Sequence, residues 1–173
     1  MKYDIARFVH KEFIDKTIPL LKQEVEQTDF TAIPLYSAGQ YAKLDIHNKW
    51  RMIAIKEMGH WVEGVESVYP TCSEFIKSFG DNCRSAGISI LDPGGTVLPH
   101  TDTEVGHEDY VIAHVPLIIP QGDVGFIEGD ETGHWVEGNS FILDVETPHS
   151  IWNRSSEFRV VMLLELVKET AYV

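Results

Sequence analysis

From Gly80 onward the chain is cut into short β-favouring runs with no helical stretch between them, which leaves few architectures open. The runs are Ile88–Leu91, Thr96–His100, Tyr110–Ile119, Gly125–Glu128, Ser140–Val145 and Phe158–Val167. Turn-forming segments separate them, among them Asp92-Pro93-Gly94-Gly95 and Gln121-Gly122-Asp123. A succession of short strands without crossover helices predicts an antiparallel double sheet, a sandwich or jelly roll. Residues 1–80 read as mixed. Thr17 is placed to cap a helix from Ile18, with Pro19 in its first turn, where a missing N–H does little harm. Ile18, Leu21 and Val25 then share one face. Pro70–Phe79 predicts a second helix, with Thr71 and Glu74 as a capping box and Gly80 at its end. Trp50–Ile55 reads as a strand. We expect one domain over 1–173, in which helices of the first 80 residues cover a β core spanning 87–167.

Composition narrows the function classes. At 173 residues the chain carries one full core and is tight for two. Hydrophobic residues at 43% and charged residues at 24% exclude disorder, collagen and coiled coil as the main class. No run approaches the roughly 18 apolar residues of a membrane span, and Met1-Lys2-Tyr3-Asp4 lacks a signal-peptide layout. Cys72 and Cys83 are too few for a disulfide framework or a four-thiolate zinc site, so a cytoplasmic setting is the expectation. With 27 acidic residues against 14 Lys plus Arg, the net charge of −13 argues against a nucleic-acid partner. The acidity reads first as a means of solubility, with attraction of a cationic substrate as the alternative.

One hexapeptide, Gly59-His60-Trp61-Val62-Glu63-Gly64, recurs verbatim at Gly133–Gly138. The flanks do not match beyond the preceding Glu-x, so it is not a solenoid repeat. Its His-x-x-Glu spacing converges two ligands only on a helix, which neither copy is expected to form.

The chemistry sits elsewhere. In Leu98-Pro99-His100-Thr101-Asp102, positions i and i+2 of a strand put an imidazole and a carboxylate on one face. Thr147-Pro148-His149 follows a strand, and Arg159 opens the last one. Two histidines and one carboxylate on one face of an octahedron are the facial triad of non-heme Fe(II) oxygenases, with positions left open for a bidentate 2-oxoacid and O₂. Arg159 would grip the distal carboxylate of 2-oxoglutarate with a planar fork that Lys lacks. A cupin-like binding domain with coincidental histidines is the alternative reading of the same residues.

These residues carry a family resemblance. Ser89–Asp102, His114–Pro120, Trp135–Gly138, Phe141–Asn153 and Phe158–Val161 together resemble the aspartyl/asparaginyl β-hydroxylase family in order and spacing, over roughly residues 87 to 167. The resemblance implies a double-stranded β-helix fold, mainly β with flanking helices, using Fe(II), 2-oxoglutarate and O₂. It implies metal roles for His100 and His149, a cosubstrate role for Arg159 helped by Ser89, and a cosubstrate contact for His114. Two positions depart from the family's peptidyl enzymes. Asp102 stands where those have Gly, so a full triad is possible. Ile112 stands where they have an Arg that grips an acidic side chain.

The expected function is hydroxylation of an unactivated C–H bond in an amino acid or amino-acid-like small molecule. Peptidyl aspartyl, asparaginyl or prolyl hydroxylation is the alternative within enzymes, and a non-catalytic cupin-type domain the alternative outside them. The acidic loop from Thr103 to Asp109, with Glu104, Glu108 and Asp109, reads as a solvated loop, with lining of the substrate mouth as the alternative. Trp135 and Trp152 read as packing residues, His107 as exposed, and Glu165 as a carboxylate either paired with a base or facing outward.

Overall fold

The computed structural model describes residues 2–36, 39–102 and 107–173. Helix α1 (Lys11–Val25) leads, followed by strands β1 (Trp50–Glu57) and β2 (His60–Trp61), then by the short α2 (Val65–Val68) and α3 (Pro70–Lys77). Eight further strands follow: β3 (Cys83–Leu91), β4 (Thr96–His100), β5 (Tyr110–Ile118), β6 (Val124–Glu128), β7 (Glu131–His134), β8 (Phe141–Leu143), β9 (His149–Asn153) and β10 (Arg159–Val167). A last turn of helix, α4 (Lys168–Ala171), closes the sequence. The strands form a six-stranded sheet in the order β2-β1-β3-β10-β5-β8 and a four-stranded sheet in the order β4-β9-β6-β7. All pairings are antiparallel, which makes the double-stranded β-helix, or jelly roll, that the strand pattern predicts.

The period-2 alternation of side chains sorts the large sheet into two faces. On β10, Val160, Met162, Leu164 and Leu166 point out toward the helices, as do Ala86, Ile88 and Ile90 of β3, and Val111, Ala113, Val115 and Leu117 of β5. The α1 stripe Ile14, Ile18, Leu21 and Val25 and the α3 residues Cys72, Phe75 and Ile76 cover them. The opposite face looks toward the small sheet. There Trp50, Leu91 and Val161 meet Val97, Val124, Phe126, Trp135 and Ile151 in a second core. The same inner face carries Met52 and Ala54 of β1, Gly87 and Ser89 of β3, Ile112 and His114 of β5, and Arg159 and Leu163 of β10. It is therefore the only face on which β3, β5 and β10 can jointly present polar groups to an interior space.

Several local expectations are corrected. Helix α1 starts at Lys11 rather than Ile18, so Pro19 lies inside it. Thr17 does not cap; its hydroxyl donates back to the Phe13 carbonyl at 2.8 Å. Packing of Ile14 under the sheet extends the helix about two turns ahead of the proline. The Thr71/Glu74 box does not form either. The Glu24 carboxylate of α1 instead accepts the Thr71 and Cys72 N–H groups at 2.7 and 2.8 Å, while Glu74 pairs with Lys77. Strand β3 begins at Cys83, five residues ahead of the expected Ile88, Ser140–Val145 shrinks to β8, and β7 and β9 were not anticipated. The repeated hexapeptide splits by context. Trp61 lies on edge strand β2 and is 37% exposed, whereas Trp135 is 4% exposed in the core between the sheets. Cys72 and Cys83 are buried and unbonded to each other, and burial pushes the Cys83 thiol up to about 12. No helix among the described residues is long and apolar enough to cross a membrane.

The inter-helix cap is testable. Burial raises the Glu24 pKa, but the two backbone N–H groups outweigh it, and the net direction is downward from 4.5. A depressed folded pKa contributes stability that is complete above 4.5 and fades as pH falls through the folded value. Glu24→Ala is therefore expected to cost about 1 kcal/mol at pH 7 in urea unfolding, the usual size of a lost cap. That difference should shrink below pH 4.5 as the wild-type carboxylate protonates.

Candidate metal centre and the cavity behind it

Pairing of β4 with β9 sets His100 directly opposite His149. The two imidazole centroids are 4.3 Å apart. Each ring is fixed through its Nδ1, that of His100 at 2.7 Å from the Leu98 carbonyl and that of His149 at 3.1 Å from the Thr147 carbonyl. A carbonyl only accepts, so Nδ1 carries the proton and both Nε2 lone pairs are left for another use. Asp102 lies two residues past the end of β4, so strand geometry does not place it as expected. Its own N–H, donated to the Val145 carbonyl at 2.9 Å, does. Its Oδ1 stands 3.6 Å from His100 Nε2 and its Oδ2 3.7 Å from His149 Nε2. These gaps are too long for hydrogen bonds, and Oδ1 is buried without a partner.

One ligand atom from each of His100, Asp102 and His149 falls within 4.8 Å of the others. Three lone-pair donors that face each other without bonding are the donor set of a divalent cation, and the two-His-one-carboxylate composition fits iron. His149 is 3% exposed, and its burial, opposed by the Asp102 charge, keeps its pKa below 6.5. At neutral pH its imidazole is uncharged, the form that can ligate a metal.

Behind this cluster lies a cavity of about 130 Å³, walled by His100, Asp102, His149, Ser89, His114 and Arg159. Arg159 is 1% exposed. Its Nη1 donates to Ser89 Oγ at 3.1 Å and its guanidinium lies 4.2 Å from the Trp135 ring centroid. Nε and Nη2 have no hydrogen-bond partner, and no carboxylate among the described residues pairs with the group. Burial pushes Arg159 down to about 9, still cationic at pH 7. The unmet Nε–Nη2 edge is the edge that takes a carboxylate in two parallel bonds. The residues present thus fit a ligand with a metal-chelating head at the histidines and a carboxylate tail at Arg159, which 2-oxoglutarate has. His114, buried and stacked on Phe141 at 5.4 Å, is held neutral by its burial and by the Arg159 charge.

The cavity continues outward into a trough of about 320 Å³. Asp102 belongs to both spaces, and Met52, Ala54, Gly87, Ile112 and Leu163 give the trough apolar walls. Glu165 edges it, held in a bidentate pair by Arg84. Of the two readings of Glu165, pairing with a base is the one observed. His107 also edges the trough and is only 23% exposed at its side chain, where an exposed loop position is expected. Contacts with Glu108 at 3.6 Å and Glu146 at 3.5 Å draw it inward. Glu104 lies outside the described residues. Trp135 and Trp152 are buried packing residues as expected, with Trp152 Nε1 donating to Asp123 at 2.6 Å. Sequence reasoning missed Tyr36, Tyr41, Trp50 and Met52, which line the inner cavity from the first 80 residues.

An unpaired buried cation is costly to fold. Arg159→Met is expected to raise the thermal midpoint by about 3 °C in scanning fluorimetry, the size of about 1 kcal/mol for a domain of this length. Added 2-oxoglutarate should stabilise the wild type with its metal and leave the variant unchanged. A drop in midpoint for the variant would mean that Arg159 is compensated by the fold itself.

Residues 15–169 match the family described as aspartyl/asparaginyl beta-hydroxylase. An aspartyl/asparaginyl beta-hydroxylase of Mus musculus is 26% identical over 121 residues, 68% of this chain and 16% of that protein. An ornithine lipid ester-linked acyl 2-hydroxylase of Rhizobium tropici is 23% identical over 172 residues, 96% of this chain and 60% of that protein. The chain thus spans less than two thirds of either relative. A cupin-2 domain of Rhodospirillum rubrum has a TM-score of 0.46 at 8% identity, covering 81% of this chain and 73% of its own.

Proposed function

The chain belongs to the aspartyl/asparaginyl β-hydroxylase family, and from that premise we propose that it is an Fe(II)- and 2-oxoglutarate-dependent dioxygenase that hydroxylates an unactivated C–H bond of an amino acid or amino-acid-like small molecule. One observation carries the reading. A two-histidine, one-carboxylate cluster and an unpaired buried arginine face each other across a single cavity of about 130 Å³. Iron with 2-oxoglutarate and O₂ supplies the oxidant for C–H hydroxylation, one oxygen atom going to the product and the other to succinate as CO₂ is lost.

The protein's residues position and shield. His100, Asp102 and His149 would hold the metal, the Nδ1 contacts of the two histidines fixing their ring planes and the bond from Asp102 N–H to Val145 placing the carboxylate. Arg159 and Ser89 hold the distal carboxylate, so the keto-acid end can reach only the histidine side of the cavity. His114, uncharged, adds no repulsion toward the metal. The apolar walls Met52, Ala54, Ile112 and Leu163 exclude water and lay the substrate beside the cluster. With Ile112 in the trough wall, that position offers an acidic side chain no cation, and Lys56, which also lines the trough, is held by the Cys83 carbonyl at 2.7 Å; both speak against peptidyl aspartate.

A second reading concerns the substrate alone. The apolar walls also suit an acyl chain, the group that the Rhizobium relative's name says it hydroxylates.

Succinate formation tests both readings. We expect Fe(II)-dependent turnover of 2-oxoglutarate, stimulated by a free amino acid in a panel of free amino acids, an Asp-containing peptide and an acylated amino-acid lipid. His100→Ala and His149→Ala should each abolish it, and Arg159→Lys should raise the 2-oxoglutarate requirement about tenfold, the worth of one charge-assisted hydrogen bond. Stimulation by the lipid alone selects the acyl reading. Preference for the Asp peptide returns the enzyme to peptidyl hydroxylation, and wild-type activity in both histidine variants removes the metal assignment.

A further inference from the structure

We infer that Trp50 is a positioning residue that aims the Ser89 hydroxyl proton into the cavity behind the histidines; the inference rests on the 2-oxoglutarate reading above. A serine hydroxyl has one proton to donate and two lone pairs to accept with. At Ser89 both lone pairs are taken. Trp50 Nε1–H donates to Oγ at 3.0 Å and Arg159 Nη1–H at 3.1 Å. Neither partner can accept in return, because an indole N–H and a guanidinium are donors only. The proton of Ser89 must therefore point away from both, and no acceptor for it is found among the described residues. Ser89 is 1% exposed, and the open space beside it is the cavity that it shares with Arg159 and His114. A ligand end that offers only acceptors, a carboxylate, meets two convergent donors there: the Arg159 edge and the aimed hydroxyl.

Trp50 is itself held rigidly. Its backbone N–H donates to Asp45 Oδ2 at 2.8 Å and its carbonyl accepts from Tyr36 N–H at 2.7 Å. Its ring packs edge-on against Tyr36 at 4.7 Å and Tyr41 at 6.2 Å. Register places it so: Trp50 and Met52 lie on the inner face of β1, and Met52 pairs with Ser89 across the strands. Without the indole N–H, one Oγ lone pair is vacated and the hydroxyl gains rotational freedom, so the carboxylate loses a pre-aimed donor while the arginine remains.

A double-mutant cycle on equilibrium binding isolates this effect from packing. The probe is 2-oxoglutarate, titrated calorimetrically into Mn(II)-loaded protein without O₂. Ser89→Ala and Trp50→Phe are each expected to weaken binding about fivefold, the worth of one neutral hydrogen bond. In the Ser89→Ala background, Trp50→Phe should add less than about twofold, because the group it positions is gone. Unchanged affinity in Trp50→Phe, or full additivity in the double variant, overturns the role of Trp50. Full affinity in Arg159→Met as well removes the 2-oxoglutarate reading itself, whereas its loss there with Trp50→Phe unaffected removes only the positioning inference. If Trp50→Phe does not fold, Ser89→Ala answers by nitrogen-edited NMR. One of the four indole N–H signals of the wild type should move in that variant. Four unmoved signals would contradict the hydrogen bond on which the inference stands.

Discussion

Burying a guanidinium without an anion costs several kcal/mol, and the fold of this chain is arranged around one. Arg159 opens β10, the strand at the centre of the six-stranded sheet, and alternates with Val160, Met162, Leu164 and Leu166 on the opposite face. A slip of one residue in β10 would drive the cation under α1 and turn four core residues inward, so the position of Arg159 and the register of the sheet are one constraint. The fold meets the cost in part, with the Trp135 ring against one side of the group and a hydroxyl at one nitrogen. The remaining edge has no hydrogen-bond partner; under the proposed function it is left for a ligand, and stability is exchanged for a binding site.

The small sheet supplies the other half. Between Val97 and His100 the pairing of β4 with β9 shifts register. That irregularity comes just before the histidines, at the open end of the double sheet. It is the kind of place where strand irregularities re-aim side chains. Asp102, beyond the strand, is secured by a backbone bond to Val145 rather than by the ladder. Because the sheets face each other, the histidines of one and the arginine of the other end up on opposite walls of one narrow space. Neither sheet contains a site by itself.

Much of this was legible in the sequence. Thr96–His100 and Arg159–Val167 could be read from β-favouring runs bounded by Pro, Gly and Asp, and the cluster His100, Asp102, His149 from residue type and order. What stayed hidden is tertiary. The extension of α1 past Pro19 depends on Ile14 finding a place under the sheet, and the cap on α3 comes from Glu24, 47 residues away from Thr71. The verbatim hexapeptide makes the same point: one copy ends on an edge strand with Trp61 half exposed, the other carries Trp135 into the core beside Arg159. Strand β9 was missed because His149 and Ser150 interrupt the apolar pattern at the point where the chain turns to the site. Trp50 could be read as a strand residue, but nothing local announces that its indole reaches Ser89.

The account's central claim is that one metal ion and one dicarboxylate share the space between the two sheets. A crystal structure of the protein grown without O₂ in Mn(II) and 2-oxoglutarate, with anomalous scattering to locate the metal, tests this most directly. The account predicts one ion bound by His100 Nε2, Asp102 and His149 Nε2, chelated by the keto-acid end of a molecule whose far carboxylate lies on the Nε–Nη2 edge of Arg159 and receives the Ser89 hydroxyl. An ion bound elsewhere, or 2-oxoglutarate absent from Arg159 while the metal is in place, would contradict it.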